Sequence, residues 1–214
     1  MHADRLCKFE GAQLRSNNAR CRFWAGKLHH SSDGAALREC GEVPQAQRWV
    51  AEGTQLLPGR TFIDMVKLKV NAMSNLTRTK QEQQRSVMCR AGCNAEESLG
   101  HILQRCHRSD FTRIKRHANM VNYLASRLRQ LGRNVRVEPT VRTSQGRRFP
   151  DLVVSREGQV VILDAQVVGL RIGLGEAHRH KVDKYSVPEV LEQVRGSRQT
   201  AALVSSVSLS YRGV

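Results

Sequence analysis

Arg147-Arg-Phe-Pro150-Asp151-Leu-Val-Val154, a Glu157-Gly158 turn, and Val160-Val-Ile-Leu-Asp164-Ala-Gln166 are the residues that decide the fold. Two short apolar strands meet at the turn, and each carries one carboxylate. Asp151 opens the first strand and Asp164 closes the second, with twelve residues between them. A hairpin of that length can set both acids at one end of a sheet. Paired carboxylates form a hard oxygen site suited to Mg²⁺, which prefers few protein ligands and several waters. The next segment, Ala177-His178-Arg-His-Lys181-Val-Asp-Lys184-Tyr185, reads as a helix with His178, Lys181 and Tyr185 on one face. Two acids, a divalent cation and a nearby lysine are what phosphodiester hydrolysis requires. Aspartates are also common at strand ends and turns, so the pair alone is equally compatible with plain turn residues.

Reading outward, Ser186-Val-Pro188 restarts a helix to about Arg195, and Ala201 to Leu209 is a last strand that alternates apolar residues with serines. Upstream, Val135-Arg-Val-Glu138-Pro139 is a short strand ending in an acid, and Thr140 to Gly146 is a turn region. From Asp110 to Leu131, Phe111, Ile114, Ala118, Val121, Leu124, Leu128 and Leu131 recur every three or four positions. That period makes one helix with a single apolar stripe, ended by Gly132. Arg113, Lys115, Arg116, Arg127 and Arg129 occupy its other face. Eleven Lys/Arg and two acids, Asp110 and Glu138, lie between Arg108 and Pro150. That imbalance points to phosphate contact by this face and by Arg147 and Arg148 rather than to a merely solvated surface.

Before the basic helix comes Cys89-x3-Cys93-x7-His101-x4-Cys106. Zinc takes four nitrogen or sulfur ligands in a tetrahedron, and a tight turn at Gly92 brings two thiolates together. His107 is an alternative to either ligand of the second half. A closed four-ligand site is structural, so no catalytic role is assigned to it. Cys7, Cys21 and Cys40 are too widely spaced to join and read as ordinary thiols. Residues 46–80 read mainly as helix, broken at Pro58-Gly59, with Arg60, Lys67 and Lys69 on a solvated or phosphate-facing side. Residues 74–87 are polar and read as a linker. Residues 1–45 are mixed, with a turn at Ser31-Ser-Asp33-Gly34.

The 214 residues carry a formal net charge of +16, which points to a polyanionic partner, most simply nucleic acid. Only 5% of residues are aromatic, which disfavours a base-stacking surface for single strands. No apolar run is long enough for a membrane helix, and the N-terminus has no apolar secretory core. Three clustered cysteines beside a histidine favour metal in a reducing compartment over disulfides.

Taken together, these motifs resemble a known family. Helix-strand-strand-strand-helix-strand with Pro150-Asp151, Asp164-Ala-Gln166 and a helical lysine resembles the PD-(D/E)xK restriction-like nuclease fold: an α/β core with a mixed sheet flanked by helices. The Cys-Cys-His-Cys knuckle ending His101-Ile-Leu-Gln-Arg-Cys106, then Glu138-Pro, Pro150-Asp-Leu-Val, Asp164-Ala-Gln-Val-Val, Ala177-His-x-x-Lys181 and Ser208-Leu-Ser-Tyr-Arg-Gly213 narrow it. They are similar to the C-terminal part of site-specific non-LTR retrotransposon proteins that insert into ribosomal-RNA genes. Asp33-Gly34, Leu57-x-Gly59-Arg-x-Phe62-Ile63 and Val70-Asn-Ala72 resemble the linker after that family's polymerase.

The resemblance implies three parts: a helical linker region over 1–86, a zinc knuckle over 87–108 and a restriction-like endonuclease domain over 109–214. It implies a Mg²⁺- or Mn²⁺-dependent DNA endonuclease that nicks a double-stranded target in the nucleus. The freed 3′-hydroxyl would prime reverse transcription of the element RNA, a further potential partner. Asp151 and Asp164 would bind the metal, Lys181 rather than Lys184 would be the catalytic lysine, and Tyr185 would support the site. Glu138 would be a third metal group. In this fold the lysine usually sits two residues after the second acid, where this chain has Gln166. His178 is expected to position the helix. The absence of a Tyr-x-Asp-Asp polymerase motif and the stop at Arg212-Gly213-Val214 imply a fragment. The alternative is an inert nucleic-acid-binding fragment that uses the knuckle and basic helix, or a relic that folds poorly.

Overall fold

A computed structural model of the chain describes residues 7–9, 11–40, 43–80, 86–195 and 201–213. They form two compact units, one of Met1–Met73 with Arg212–Val214, the other of Ser74–Tyr211. The knuckle shares the second unit with the sheet, and its last helix and the helix that follows are tied together by hydrogen bonds described below.

The first unit begins with a hairpin of β1 (Cys7–Phe9) and β2 (Ala12–Leu14). Helix α1 (Asn17–His30) follows, capped by Ser16, whose hydroxyl accepts from the Ala19 N–H at 3.1 Å. Lys27, His29 and His30 sit in its last turn, where cations offset the helix dipole. Sequence periodicity does not signal this helix because none of its residues is buried. Gly34 closes the turn after it: a Cβ there would meet the Leu28 carbonyl oxygen at 2.2 Å. Helices α2 (Arg48–Glu52) and α3 (Gly59–Lys69) flank the Pro58 break, as expected. The expected basic face of α3 is partly inverted. Lys69 is buried, its Nζ 5.8 Å from the centre of the Trp49 ring, while Ile63 is exposed. Trp49 packs edge-on against Phe62 and offers its face to the ammonium. Arg212 donates to the carbonyls of Ser32 and Asp33.

The second unit opens with α4 (Leu76–Thr79), a single turn capped by the Asn75 side chain inside the stretch expected to be linker. Residues 81–85 of that stretch lie outside the described residues. Then come α5 (Leu99–Gln104), α6 (Asp110–Gln130), β3 (Asn134–Val137), β4 (Val141–Thr143), β5 (Gly146–Arg148), β6 (Leu152–Arg156) and β7 (Gln159–Val168). Helices α7 (Leu174–Tyr185) and α8 (Pro188–Arg195) lead to β8 (Ala201–Ser210).

Four strands form a mixed sheet in the order β3-β6-β7-β8. The β3–β6 and β6–β7 pairs are antiparallel, and β7–β8 is parallel. A parallel pair needs a long crossover, and α7 and α8 supply it. Alternation along the strands sends Val135, Leu152, Val154 and Ala165 to one face, against Val121 and Ala125 of α6. Val153, Val160 and Ile162 go to the other, against Tyr185, Val190 and Val194 of α7 and α8. Each fully buried aliphatic side chain stabilises the fold by roughly 1.5–3 kcal/mol, and these two layers carry most of them.

Three details depart from the sequence reading. Strand β7 continues to Val168, so Asp164 lies within the strand rather than at its end. The expected turn at 140–146 is a small hairpin of its own, β4–β5. The apolar stripe of α6 is buried only in its middle turns: Phe111 is 76% exposed, Ile114 68% and Leu131 64%. The five-residue β6 is shorter than the 21-residue helix, so the sheet covers only part of its length.

Candidate active site and metal centre

Register places the acids. β6 and β7 pair Leu152 with Leu163, so one step further sets Asp151 opposite Asp164. The same count along β3 and β6 sets Glu138 beside Asp151, and the Glu138 N–H donates to the Asp151 carbonyl at 2.8 Å. In the parallel pair Asp164 lies level with Ser206. Asp164, in step with Ile162, faces the α7 side, while the Asp151 side chain lies at the end of β6 against the Ala165 N–H and His117 of α6. Both are buried. Glu138 has a positive φ of 46° and is exposed, and no convergent trio of acids forms with it among the described residues.

Helix α7 brings its lysine to this pair. Lys181 Nζ donates to Asp164 Oδ1 at 2.5 Å and to Oδ2 at 3.1 Å. Lys184 instead lies over the Tyr185 ring, 4.7 Å from its centre. Tyr185 is fully buried and its hydroxyl donates to the Phe149 carbonyl, bracing the residues just before Asp151. Gln166 occupies the position where the nuclease fold usually has lysine. Its Nε2 donates to the Ala177 carbonyl at 2.8 Å and to Ser208 Oγ at 2.7 Å. It ties the first turn of α7 to the sheet, and His178 does the same through Ser206 at 2.9 Å. These two tethers fix the rotation of α7 that presents Lys181 to Asp164.

Sequence reasoning missed His117. From α6 its Nε2 lies 3.1 Å from the Ala165 carbonyl and 3.3 Å from Asp151 Oδ2. A carbonyl only accepts, so Nε2 carries the proton and faces the carboxylate as well. The Ala165 N–H donates to the same Oδ2 at 2.6 Å. The only sequence signal was a histidine four residues before Val121 on the helix covering that edge.

Burial pushes the Asp151 carboxyl above its ordinary range, and the charge of Asp164 adds to this; the Ala165 N–H, His117 and Lys181 oppose it. Burial, with Asp164 and Asp151 nearby, also raises the Tyr185 phenol, which stays a protonated donor. Two buried acids with one ammonium leave excess negative charge. Asp151 and Asp164 are the residues that could hold a divalent cation there.

The second centre lies at the knuckle. The ligand atoms of Cys89, Cys93, His101 and Cys106 all lie within 4.8 Å of one another. Cys89 and Cys106 sulfurs are 3.8 Å apart and Cys93 and Cys106 sulfurs 3.7 Å. The His101 Nε2 is buried with no hydrogen-bond partner, as expected of a nitrogen reserved for a metal. The Cys89 thiol is held below its ordinary value, chiefly by the Ala91 N–H directed at its sulfur. Gly92, at φ +74°, makes the turn between the first two thiols. Ser98 caps α5 and so orients His101. This set fits tetrahedral zinc. His107 Nδ1 lies 3.2 Å from the Cys93 sulfur, beside the cluster rather than in it.

The expected phosphate contacts divide into two groups. Arg113 turns back toward the knuckle: it donates to the Cys106 carbonyl at 2.9 Å and Ser109 Oγ at 3.2 Å, and pairs with Asp110. Arg116 reaches the Leu103 carbonyl. Arg129 donates to the Val135 carbonyl, Arg127 to Gln130, and Arg148 to the Lys184 carbonyl and Gln145. Lys115 and Arg147 are exposed, with no such tie among the described residues.

No model of a protein family matches the chain. Among curated proteins it is 36% identical over 216 residues to a retrovirus-related Pol polyprotein from the type-2 retrotransposable element R2DM of Drosophila melanogaster, an alignment covering 99% of this chain and 20% of that protein. It is 30% identical over 196 residues to the Pol polyprotein from a type-1 R2 element of Bradysia coprophila, covering 90% of this chain and 22% of that one. To the corresponding Nasonia vitripennis protein it is 28% identical, over 89% of this chain and 19% of that one. The chain spans about a fifth of the length of these relatives, and over that span it belongs to the Pol polyproteins of R2-type non-LTR retrotransposable elements.

Proposed function

We propose that the sheet unit is a metal-dependent DNA endonuclease of the PD-(D/E)xK type, serving target-primed reverse transcription as part of the retrotransposon's machinery. One observation carries the reading: Asp151 and Asp164 stand opposite each other, buried, with Lys181 bonded to Asp164. When bound, Mg²⁺ or Mn²⁺ supplies a Lewis acid for the phosphodiester and makes its water more acidic. Asp151 and Asp164 would hold the ion. Lys181 is one-quarter exposed while Asp164 is almost fully covered. Its ammonium can therefore meet an incoming phosphate and offset charge that builds on the phosphoryl oxygens. His117 and the Ala165 N–H fix the Asp151 carboxylate, and Gln166 and His178 fix α7.

Cleavage on the 5′ side of the phosphate would leave the 3′-hydroxyl that priming needs, with nuclear double-stranded DNA as target and element RNA as the copied strand. Zinc at the knuckle would be structural. The test is nicking of supercoiled plasmid by purified protein with Mg²⁺ or Mn²⁺. Asp164→Ala is expected to abolish nicking, and Lys181→Met to slow it about 10²–10³-fold. Equal nicking by wild type and Asp164→Ala would refute the reading.

A further inference from the structure

Hairpin β4–β5 holds two guanidiniums directly across from each other. Its register pairs Arg142 with Arg147. Opposed residues project to one face, and here both are exposed. The other face is the anchored one: Val141 is buried in the core with Ile162 and Val190, and Arg148 donates to the Lys184 carbonyl of α7. Helix α8 pins the rest. The Arg142 N–H donates to Gln193 Oε1 at 3.1 Å, Gln193 Nε2 donates back to the Arg142 carbonyl, and the Ser144 N–H donates to Glu189 Oε2 at 2.7 Å. The hairpin is thus a fixed platform with two like charges on its outer side. No acid pairs with either side chain among the described residues.

Like charges directly opposite each other destabilise a hairpin unless an anion sits between them. The chain runs from Arg147 through Phe149 and Pro150 straight into Asp151, four residues on. That short connection keeps the platform within about 14 Å of Asp151 along the chain. Arginine forks match phosphate oxygens, and two adjacent forks suit consecutive phosphates of one strand.

We propose that Arg142 and Arg147 form a phosphate clamp for the backbone of duplex DNA, seating the strand to be cut next to Asp151 and Asp164. That last step rests on the endonuclease reading; the clamp itself does not. Arg142 was not among the basic residues marked in the sequence, and the α6 arginines that were marked are largely tied to the protein.

The test uses the full chain in an Asp164→Ala background, so that the DNA stays intact, and measures affinity for a short DNA duplex across a salt series without divalent ions. Each phosphate contact contributes about 0.9 to the salt slope, so Arg142→Gln with Arg147→Gln is expected to lower the slope by roughly 2. Arg156→Gln, at the far end of β6 and paired with Glu157, is the control and should leave the slope unchanged. At low salt without DNA, the double variant should melt at or above the temperature of its parent, because a repulsion is removed. An unchanged slope, or a lowered melting temperature, overturns the clamp. A greater loss on an RNA duplex of the same sequence overturns its assignment to DNA. If the slope falls as expected but wild-type protein nicks no plasmid under Mg²⁺ or Mn²⁺, the clamp stands and the endonuclease reading fails.

Discussion

At the proposed metal site, Asp151 is held at a cost in stability. Its carboxyl titrates above the ordinary range because burial disfavours the charge and Asp164 repels it. A raised pKa in the folded state means that the folded protein binds more protons than the unfolded chain between the ordinary value and the raised one. Stability therefore falls as pH rises through that window and stays lower above it. Asp151→Asn removes the charge and keeps an oxygen to accept the Ala165 N–H. In the presence of chelator at neutral pH, this variant should melt above wild type, and its stability should no longer fall across that acid window. Added Mg²⁺ should raise the melting temperature of wild type and not of the variant, and nicking should be lost. A variant that melts below wild type at neutral pH would show that the carboxylate stabilises the fold. His117 acts on the same group from α6: its ring N–H, shared between the Ala165 carbonyl and Asp151 Oδ2, is a positioning contact.

Helix α6 and the knuckle act as one element. Arg113 bridges from the helix to the Cys106 carbonyl, and Ser109 Oγ donates to the Ile102 carbonyl at 2.5 Å and to the Cys106 carbonyl at 2.8 Å. Hydrogen bonds from a charged donor contribute about 1.5–3 kcal/mol. Arg113→Gln should therefore destabilise the unit by about that amount and speed zinc loss to a chelator. Lys115→Gln should leave the melting temperature unchanged and weaken DNA binding. If Arg113→Gln instead behaves like Lys115→Gln, the arginine is a phosphate contact after all. Charge runs on a helix show where arginines are but not which way they turn, so Arg113 and Arg116 could not be separated from Lys115 in the sequence. The acid edge was legible, because an apolar strand on each side of Glu157-Gly158 sets the register that opposes Asp151 and Asp164. The grouping of Cys89, Cys93, His101 and Cys106 was legible from spacing alone. Hairpin β4–β5 was not: its three-residue strands hold three arginines among six residues, and their one buried position, Val141, makes no pattern. Nor was α1, a helix that buries nothing. Gln166 looked like a missing lysine, and only its bonds to Ala177 and Ser208 reveal it as the tether of α7.

At the scale of the whole molecule, all four knuckle ligands fall within Ser74–Tyr211, and none in the unit built on Met1–Met73. Two compact units need not unfold as one two-state system. A metal that binds only the folded form of one unit stabilises that unit alone, by about 4 kcal/mol when free metal exceeds the dissociation constant a thousandfold. Calorimetry of the zinc-loaded protein should accordingly resolve two transitions. Chelation should move one of them to lower temperature and leave the other in place, and returning one equivalent of Zn²⁺ should restore it. His101→Ala should show the shifted transition from the start and respond weakly to added Zn²⁺, since its nitrogen is the one buried donor of the set without a protein partner. The acid pair shares the unit with the knuckle, so Mg²⁺ should act on the same transition as zinc, and Asp151→Asn should remove the Mg²⁺ response while keeping the zinc response. A single transition that shifts as a whole on chelation would mean that the units are energetically coupled. Two transitions indifferent to zinc would mean that the four side chains hold no structural metal.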